Sequence, residues 1–412
     1  MAAASGRRNA AIGAQSGASH SEAATVEPLK ICDLTQFYSP LSGGVKRYVH
    51  EKASYVRNHT TDEHVLVVPG EKTERTEEDR SRVYSIRSPL ISRTARYRAL
   101  LDLRAVGEIL EREQPDIIES SDPYQVGWKA IAFGKSARVP VVAFYHSHFP
   151  EAYLRGASKL LGHRAGKSLM SAARRYVRKM YNRFEATFVP SEPLKQILED
   201  WGVRNTRLVP LGVNTENFRP APDPTIKKQR KLLLYVGRLA PEKNTSTLFE
   251  AFRIVATRRP GDYQFLVIGD GPQRAQLRRL EAVTQTVKWI QHCIDPAELA
   301  RHYRAADLFV HPGMQETFGL VALESQACGT PVVGIRGSRL DGIILHDQGG
   351  WARENTAEAL AAAIEQFSAR DLKALGHAAS EKAIKNYAWP AVFDGLFCIY
   401  REVCANYKRS RP

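Results

Sequence analysis

The chain has 412 residues, 43% of them hydrophobic and 25% charged. That is length enough for two domains and a composition that excludes fibrous and fully disordered classes. No apolar run approaches the ~20 residues that span a bilayer as a helix. The formal net charge of +15 implies an anionic partner, whether nucleic acid, membrane surface or anionic substrate.

Residues 1–27 are rich in Ala, Ser and Gly and carry Arg7 and Arg8 but no apolar h-region, which predicts a disordered tail rather than a secretory signal. From residue 28 onward, short apolar strands alternate with helical patterns, the mark of an α/β fold with parallel sheets. A strand over 29–34 leads into a loop with Gly43 and Gly44, then a helix over 45–56. Strands follow at 65–68 and 83–86, a helix at 100–110, and strands at 116–119 and 139–144. The last of these delivers His146 at its C-terminal end. A strand at 186–189 and a helix at 194–201 complete a first domain, 28–216. Prolines 220, 222 and 224 stand at alternate positions, which fits an extended linker. The alternation then restarts, with strands at 232–235, 265–268, 308–311 and 331–334 and a helix at 248–256. This predicts a second domain, 217–385, followed by a closing segment, 386–412.

Between Arg155 and Arg183 stand nine Lys or Arg and no Asp or Glu. Leu169, Ala173, Tyr176, Val177, Met180 and Phe184 recur there at helical spacing, while Arg174, Arg175, Arg178 and Lys179 fall on other faces. This reads as a basic amphipathic helix suited to an anionic membrane, or as a charged face over an ordinary core stripe. Only Tyr176 and Tyr181 interleave with these cations, so a nucleic-acid groove is disfavoured. The five cysteines, Cys32, Cys293, Cys328, Cys398 and Cys404, form no Cys-x-x-Cys pair and read as reduced core thiols of a cytoplasmic protein rather than a zinc site.

The densest chemistry lies in residues 311–334. Glu316 and Glu324 are separated by seven residues, with the turn Phe318-Gly319 and an apolar helical run from Leu320 between them. A turn opening a helix presents free N–H groups and the positive end of the helix dipole, which suits a phosphate. Glu324, one turn in, can reach hydroxyls on whatever the phosphate carries, and Glu316 a second polar group. Polyol plus phosphate suggests a nucleotide sugar. Gly237 ends a strand and is followed by Arg238 and Lys243, which can fork onto and neutralise phosphate oxygens. No Asp-x-Asp occurs, so a carboxylate-held divalent ion is not indicated. Gly43, Gly44 and Gly271 permit close backbone approach to a ligand. Two carboxylates would also serve a glycoside hydrolase; their place on one turn–helix unit disfavours that. A catalytically idle protein of the same fold is disfavoured by the intact Arg238, Lys243, Glu316 and Glu324.

These motifs, in order, resemble the retaining glycosyltransferases of family 4, with the Glu-x7-Glu signature. The matching segments are Gly43-Gly44-Val45, Tyr145-His146-Ser147, Pro210-Leu211-Gly212-Val213, 237–244, 269–272 and 311–334. The resemblance implies the GT-B fold, two Rossmann-like domains facing a central cleft, with the last helix crossing back to the first domain. It implies that Arg238 and Lys243 hold the donor diphosphate and Glu324 the ribose. Glu316 and His146, with His148 a competing candidate, would serve the sugar. Retention is usually explained there by same-face attack, the leaving phosphate taking the acceptor proton. The segment 145–150 resembles that of lipid-directed mannosyl- and glucosyltransferases. The expectation is a metal-independent hexosyltransferase without cofactor, peripheral on the inner membrane face. It would use a GDP- or UDP-hexose and a hydroxyl acceptor, a lipid or else a soluble polysaccharide or small polyol. Two departures stand out: Gln291-His292-Cys293 where an aromatic-x-Gly turn is usual, and Gly337-Ser338-Arg339-Leu340-Asp341 where Gly-Gly-x-Pro-Glu is common.

Overall fold

The structure, a computed structural model, describes residues 27–39, 43–91, 96–146, 163–221 and 229–410. Ser147, His148, Arg155 and Lys159 lie outside them, as do prolines 222 and 224 and the tail 1–26. Among the described residues the strands form two sheets.

The first holds β1 (Lys30–Leu34), β2 (Glu63–Gly70), β3 (Glu74–Glu78), β4 (Ser81–Arg87), β5 (Ile117–Ser120), β6 (Val141–Phe144), β7 (Ala186–Val189) and β8 (Thr206–Leu208), in the order β3-β4-β2-β1-β5-β6-β7-β8. All pairs are parallel except β3–β4. The second holds β9 (Lys231–Val236), β10 (Tyr263–Ile268), β11 (Val287–Ile290), β12 (Leu308–His311) and β13 (Val332–Gly334), parallel throughout, in the order β11-β10-β9-β12-β13. Strands covered on both faces need unbroken apolar runs. Val-Val-Ala-Phe of β6 and Leu-Phe-Val of β12 supply them and are fully buried.

Helices connect the strands: α1 (Gly44–His59), α2 (Leu103–Glu113), α3 (Gln125–Ala137), α4 (His163–Tyr181) and α5 (Glu192–Asp200) in the first domain. The second carries α6 (Thr245–Arg258), α7 (Arg274–Thr284), α8 (Pro296–Ala305), α9 (Leu320–Ala327), α10 (Ala357–Ser368) and α11 (Leu372–Tyr387), and α12 (Trp389–Ser410) closes the chain. The helix expected over 100–110 begins three residues later. The Asp102 carboxylate accepts a hydrogen bond from Ala105 N at 2.9 Å and so sets the N-cap. Strand β3 carries Glu-Arg-Thr-Glu-Glu, exposed at every position. It has no apolar alternation to read, and its charges blunt a sheet edge.

Helix α12 lies on α1 of the first domain. Tyr55 meets Phe397 with ring centroids 5.1 Å apart, and Trp389 stacks on Phe393 at 5.0 Å. Beneath them is a wholly buried polar cluster. Lys52 Nζ donates to Asp33 at 2.9 Å, Glu119 at 3.0 Å and Tyr400 at 2.8 Å. Tyr400 donates to Glu119 at 2.5 Å, and His64 pairs with Asp33 at 2.6 Å. Burial would raise the Asp33 carboxyl, but Lys52 and His64 hold it well below the carboxylate range. Burial outweighs the shared ammonium at Glu119 and pushes it up to about 7. One residue of the closing helix is thereby bonded to the centre of the first sheet.

The cysteines are free, with Cys32, Cys328 and Cys404 buried as expected. Two depart from the core reading: Cys398 is exposed on the outer face of α12, and Cys293 is half-buried in the loop after β11.

Candidate active site

The two sheets direct the C-terminal ends of their strands toward one cleft, the usual ligand position in open α/β folds. From the second domain, β12 ends in His311 and passes into the loop that carries Glu316. Lys243 Nζ donates to Glu316 Oε1 at 2.6 Å, and His311 Nε2 lies 3.5 Å from the same oxygen. Burial alone would raise the Glu316 carboxyl; the charge of Lys243 and the hydrogen bond from His311 overcome it and hold the group well below the ordinary range. Glu316 is therefore an anion with one strong cationic partner.

Lys243 is placed by a short 3-10 turn, Pro241–Lys243, that follows β9. Asn244, in the left-handed conformation, bonds through Nδ2 to Pro312 O at 2.9 Å and so ties this turn to the Glu316 loop. Arg238, 61% exposed, is linked to Glu242 at 2.5 Å and leaves part of its guanidinium free. Gly237 follows β9, and Tyr235 OH donates across it to Arg238 O at 3.1 Å. Gly271 is required where two loops run back to back, since a Cβ there would stand 2.3 Å from Leu239 O.

The turn into α9 depends on Gly319. Its φ is +97°, and a Cβ would meet Leu340 at 2.1 Å. Phe318, expected among the donor-binding residues, is buried and packs toward Tyr387 with ring centroids 6.3 Å apart, so only its backbone is left for a ligand. Glu324 sits on α9 and is almost wholly buried; Tyr303 OH donates to its Oε2 at 3.1 Å. Its Oε1 is paired with Arg47 of α1, from the opposite domain.

The first domain closes the cleft from the other side. Gly43 caps α1, and a Cβ on Gly44 would lie 3.8 Å from Leu320 of α9. Ser191 Oγ donates to Thr317 O at 3.0 Å, a second polar bridge between the domains. His146 follows β6, stacked on Phe144 with centroids 4.0 Å apart and planes 7° apart. Its Nε2 is buried without a hydrogen-bond partner. Burial, helped by the charge of Lys52, lowers it to about 3, so the imidazole is neutral at physiological pH.

The cleft thus collects Gly43, Gly44, Glu316, Lys243, Gly319, Leu320 and Glu324, with Arg238 at the end of β9 and His146 at the end of β6. The basic residues Arg174, Arg175, Arg178 and Lys179 lie apart, all exposed on α4, with Ala173, Val177 and Met180 turned into the core. Arg174 covers the Trp201 ring at 5.4 Å. Asp341 accepts from Gly337 N at 3.1 Å and closes its own loop. Arg47, Tyr303 and Asn244 were given no role from the sequence alone. Arg47 follows Gly43-Gly44 by one helical turn, the signal that could have marked it; nothing marks Tyr303.

Known proteins agree with this architecture. Residues 42–217 match the family described as Glycosyltransferase Family 4, and residues 219–386 match Glycosyl transferases group 1. A GDP-mannose-dependent alpha-(1-6)-phosphatidylinositol dimannoside mannosyltransferase of Mycobacterium tuberculosis is 32% identical over 352 residues, 83% of this chain and 88% of that protein. A GDP-mannose-dependent alpha-mannosyltransferase of Corynebacterium glutamicum is 26% identical over 93% of this chain and 91% of its own. Among solved structures, a sucrose-phosphate synthase from Thermosynechococcus elongatus superposes with a TM-score of 0.67 at 22% identity, over 92% of this chain and all of the other, which shows the shared fold. With two Rossmann-like sheets about one cleft and this likeness along most of its length, the chain belongs to glycosyltransferase family 4 and is a hexosyltransferase of GT-B fold.

Proposed function

We propose that the protein transfers mannose from GDP-mannose, with retention and without a metal ion, to a hydroxyl of a membrane glycolipid. The observation that carries this reading is the Lys243–Glu316 pair: a fixed cation and an ordered carboxylate 2.6 Å apart at strand ends in the cleft. A departing nucleoside diphosphate sheds negative charge, and Lys243 with Arg238 can neutralise it by preorganised positive charge. Glu316 is free to take sugar hydroxyls once Lys243 turns to phosphate. Gly43-Gly44 and Gly319-Leu320 start helices of opposite domains, with a Cβ on Gly44 3.8 Å from Leu320, and the N–H groups of such helix starts suit the diphosphate.

Glu324 is assigned to the ribose hydroxyls. His146, neutral and with an unsatisfied Nε2, suits a hydrogen bond to donor sugar or acceptor rather than a proton donor's role. Retention by same-face attack needs no protein nucleophile, the leaving phosphate taking the acceptor proton. The two GDP-mannose-dependent relatives favour that donor over UDP-hexoses, and the name of the first favours an inositol lipid acceptor. The exposed cations of α4 supply a surface for anionic lipid, and no helix among the described residues is long and apolar enough to cross a membrane. A peripheral enzyme on the inner membrane face fits both.

A thermal-shift series with GDP, UDP, ADP, GDP-mannose and UDP-glucose, with and without magnesium, tests the donor. Binding to the folded state raises apparent stability by mass action. The expected result is a shift with GDP and GDP-mannose that magnesium does not alter; no shift with any nucleotide would sink the reading.

A further inference from the structure

The loop that departs from the family pattern, 291–295, lies between β11 and α8, and the fold gathers three donors there. Glu298 and His302 stand one turn apart on α8, and Cys293 approaches from the loop. The Cys293 Sγ, a Glu298 carboxylate oxygen and a His302 nitrogen all lie within 4.8 Å of one another. His302 is the least satisfied of the three. The His302 Nε2 is buried with no hydrogen-bond partner, and the nearest Glu298 oxygen is 3.9 Å away, too far to bond. The Cys293 thiol is held by the Glu298 carboxylate and by a weak contact with Asp295 O at 3.7 Å. Asp295 does not compete for an ion: its carboxylate caps α8 by accepting from Ala297 N at 2.9 Å.

We propose that Cys293, Glu298 and His302 form a zinc site that fastens the loop after β11 to the first turns of α8. Thiolate, imidazole and carboxylate are the donor types zinc selects, and three of them leave a fourth tetrahedral position for water. Ligands about 2.0–2.3 Å from zinc sit roughly 3.3–3.8 Å apart, so the donors need draw in by only about 1 Å. Glu298, exposed, can supply that movement by a rotamer change. Thiolate and carboxylate together balance the charge of Zn2+, so the nearby Lys288 and Arg301 do not oppose it.

The consequence reaches the cleft. Gln291 of the same loop donates to Asp270 at 2.7 Å, and Trp289 donates to Gly269 O at 2.8 Å. The loop is thus bonded to the Gly269–Gly271 turn, which packs on the Arg238 loop. Zinc would hold that support rigid without touching the reacting groups. The site rests on the β11–α8 corner alone and stands or falls independently of donor and acceptor.

The test uses the full-length protein, titrated with Zn2+ against a chromophoric chelator and separately with Co2+. Expected are one zinc per chain, a thiolate-to-cobalt charge-transfer band and a Tm that rises with zinc. C293S and H302A should each weaken zinc at least ~100-fold, and C293S should remove the band, whereas C398S should change neither. Zinc affinity unchanged in C293S and H302A, or zinc that washes out of the unaltered protein on desalting, would overturn the site.

Discussion

Arg47 and Glu324 form an ion pair across the cleft, α1 of one domain to α9 of the other. The carboxylate assigned to the ribose is thus engaged by a side chain of the opposite domain. A nucleotide must take Glu324 from Arg47. The competing pair is part-exposed, with Arg47 one-third accessible, and stabilises by about 1 kcal/mol after solvent screening.

Arg47→Ala should therefore tighten GDP binding by about fivefold in a calorimetric titration. Weaker binding would mean that Arg47 acts on the nucleotide rather than against it.

His146 makes a pH signature. Its folded value, about 3, lies below the ordinary ~6.5, because burial disfavours the imidazolium. The unfolded chain then binds the proton more tightly. The stability His146 contributes is fully present above about pH 6.5 and is lost as pH falls toward 3. His146→Phe keeps the stack on Phe144 and removes the proton site. Between pH 6.5 and 4.5 its stability should fall less steeply, by up to ~1.4 kcal/mol per pH unit, in urea denaturation. Parallel curves for the two proteins would place the acid sensitivity elsewhere.

Lys52 is the shared cation of Asp33, Glu119 and Tyr400, with no exposed surface. Replacement by Met leaves Asp33 with His64 alone and Glu119 without an ion partner. The expected loss is about 3–5 kcal/mol, with earlier exchange of the α12 amides. A loss below ~1 kcal/mol would show that the cluster neither stabilises the fold nor anchors the last helix.

The cations of α4 should act through charge. Arg174, Arg175, Arg178 and Lys179 changed together to Gln should cut binding to phosphatidylinositol vesicles ~100-fold or more at low salt, with Tm little changed, since each well-placed cation contributes ~1 kcal/mol near anionic lipid. Undiminished vesicle binding would leave α4 as an ordinary solvated face.

Much of this was legible in the sequence because it is local. Leu-Phe-Val before His311 reads as a buried strand, Phe318-Gly319 as the turn opening a helix, and Gly237 with Lys243 as a strand-end cation loop. What escaped depends on distance along the chain. Lys52 reaches Tyr400, and Arg47 reaches Glu324, only after two domains have packed. A lysine on the buried face of α1 carries no sign of its partners. The charged edge strand β3 has no alternation, and Cys293 looked unpaired because its neighbours are a carboxylate and an imidazole on the next helix rather than a second cysteine. Phe318 fell inside the motif, yet its ring serves the core.

The most direct measurement is transfer of labelled mannose from GDP-mannose to vesicles containing an inositol glycolipid, without added divalent cation and with magnesium chelated, in the unaltered protein and in Glu316→Gln. Turnover is expected to persist without magnesium and give an α-linked product. In the variant kcat should fall ~10²–10³-fold while Tm holds. Unchanged turnover in Glu316→Gln, or activity that appears only with magnesium, would contradict catalysis by the Lys243–Glu316 pair.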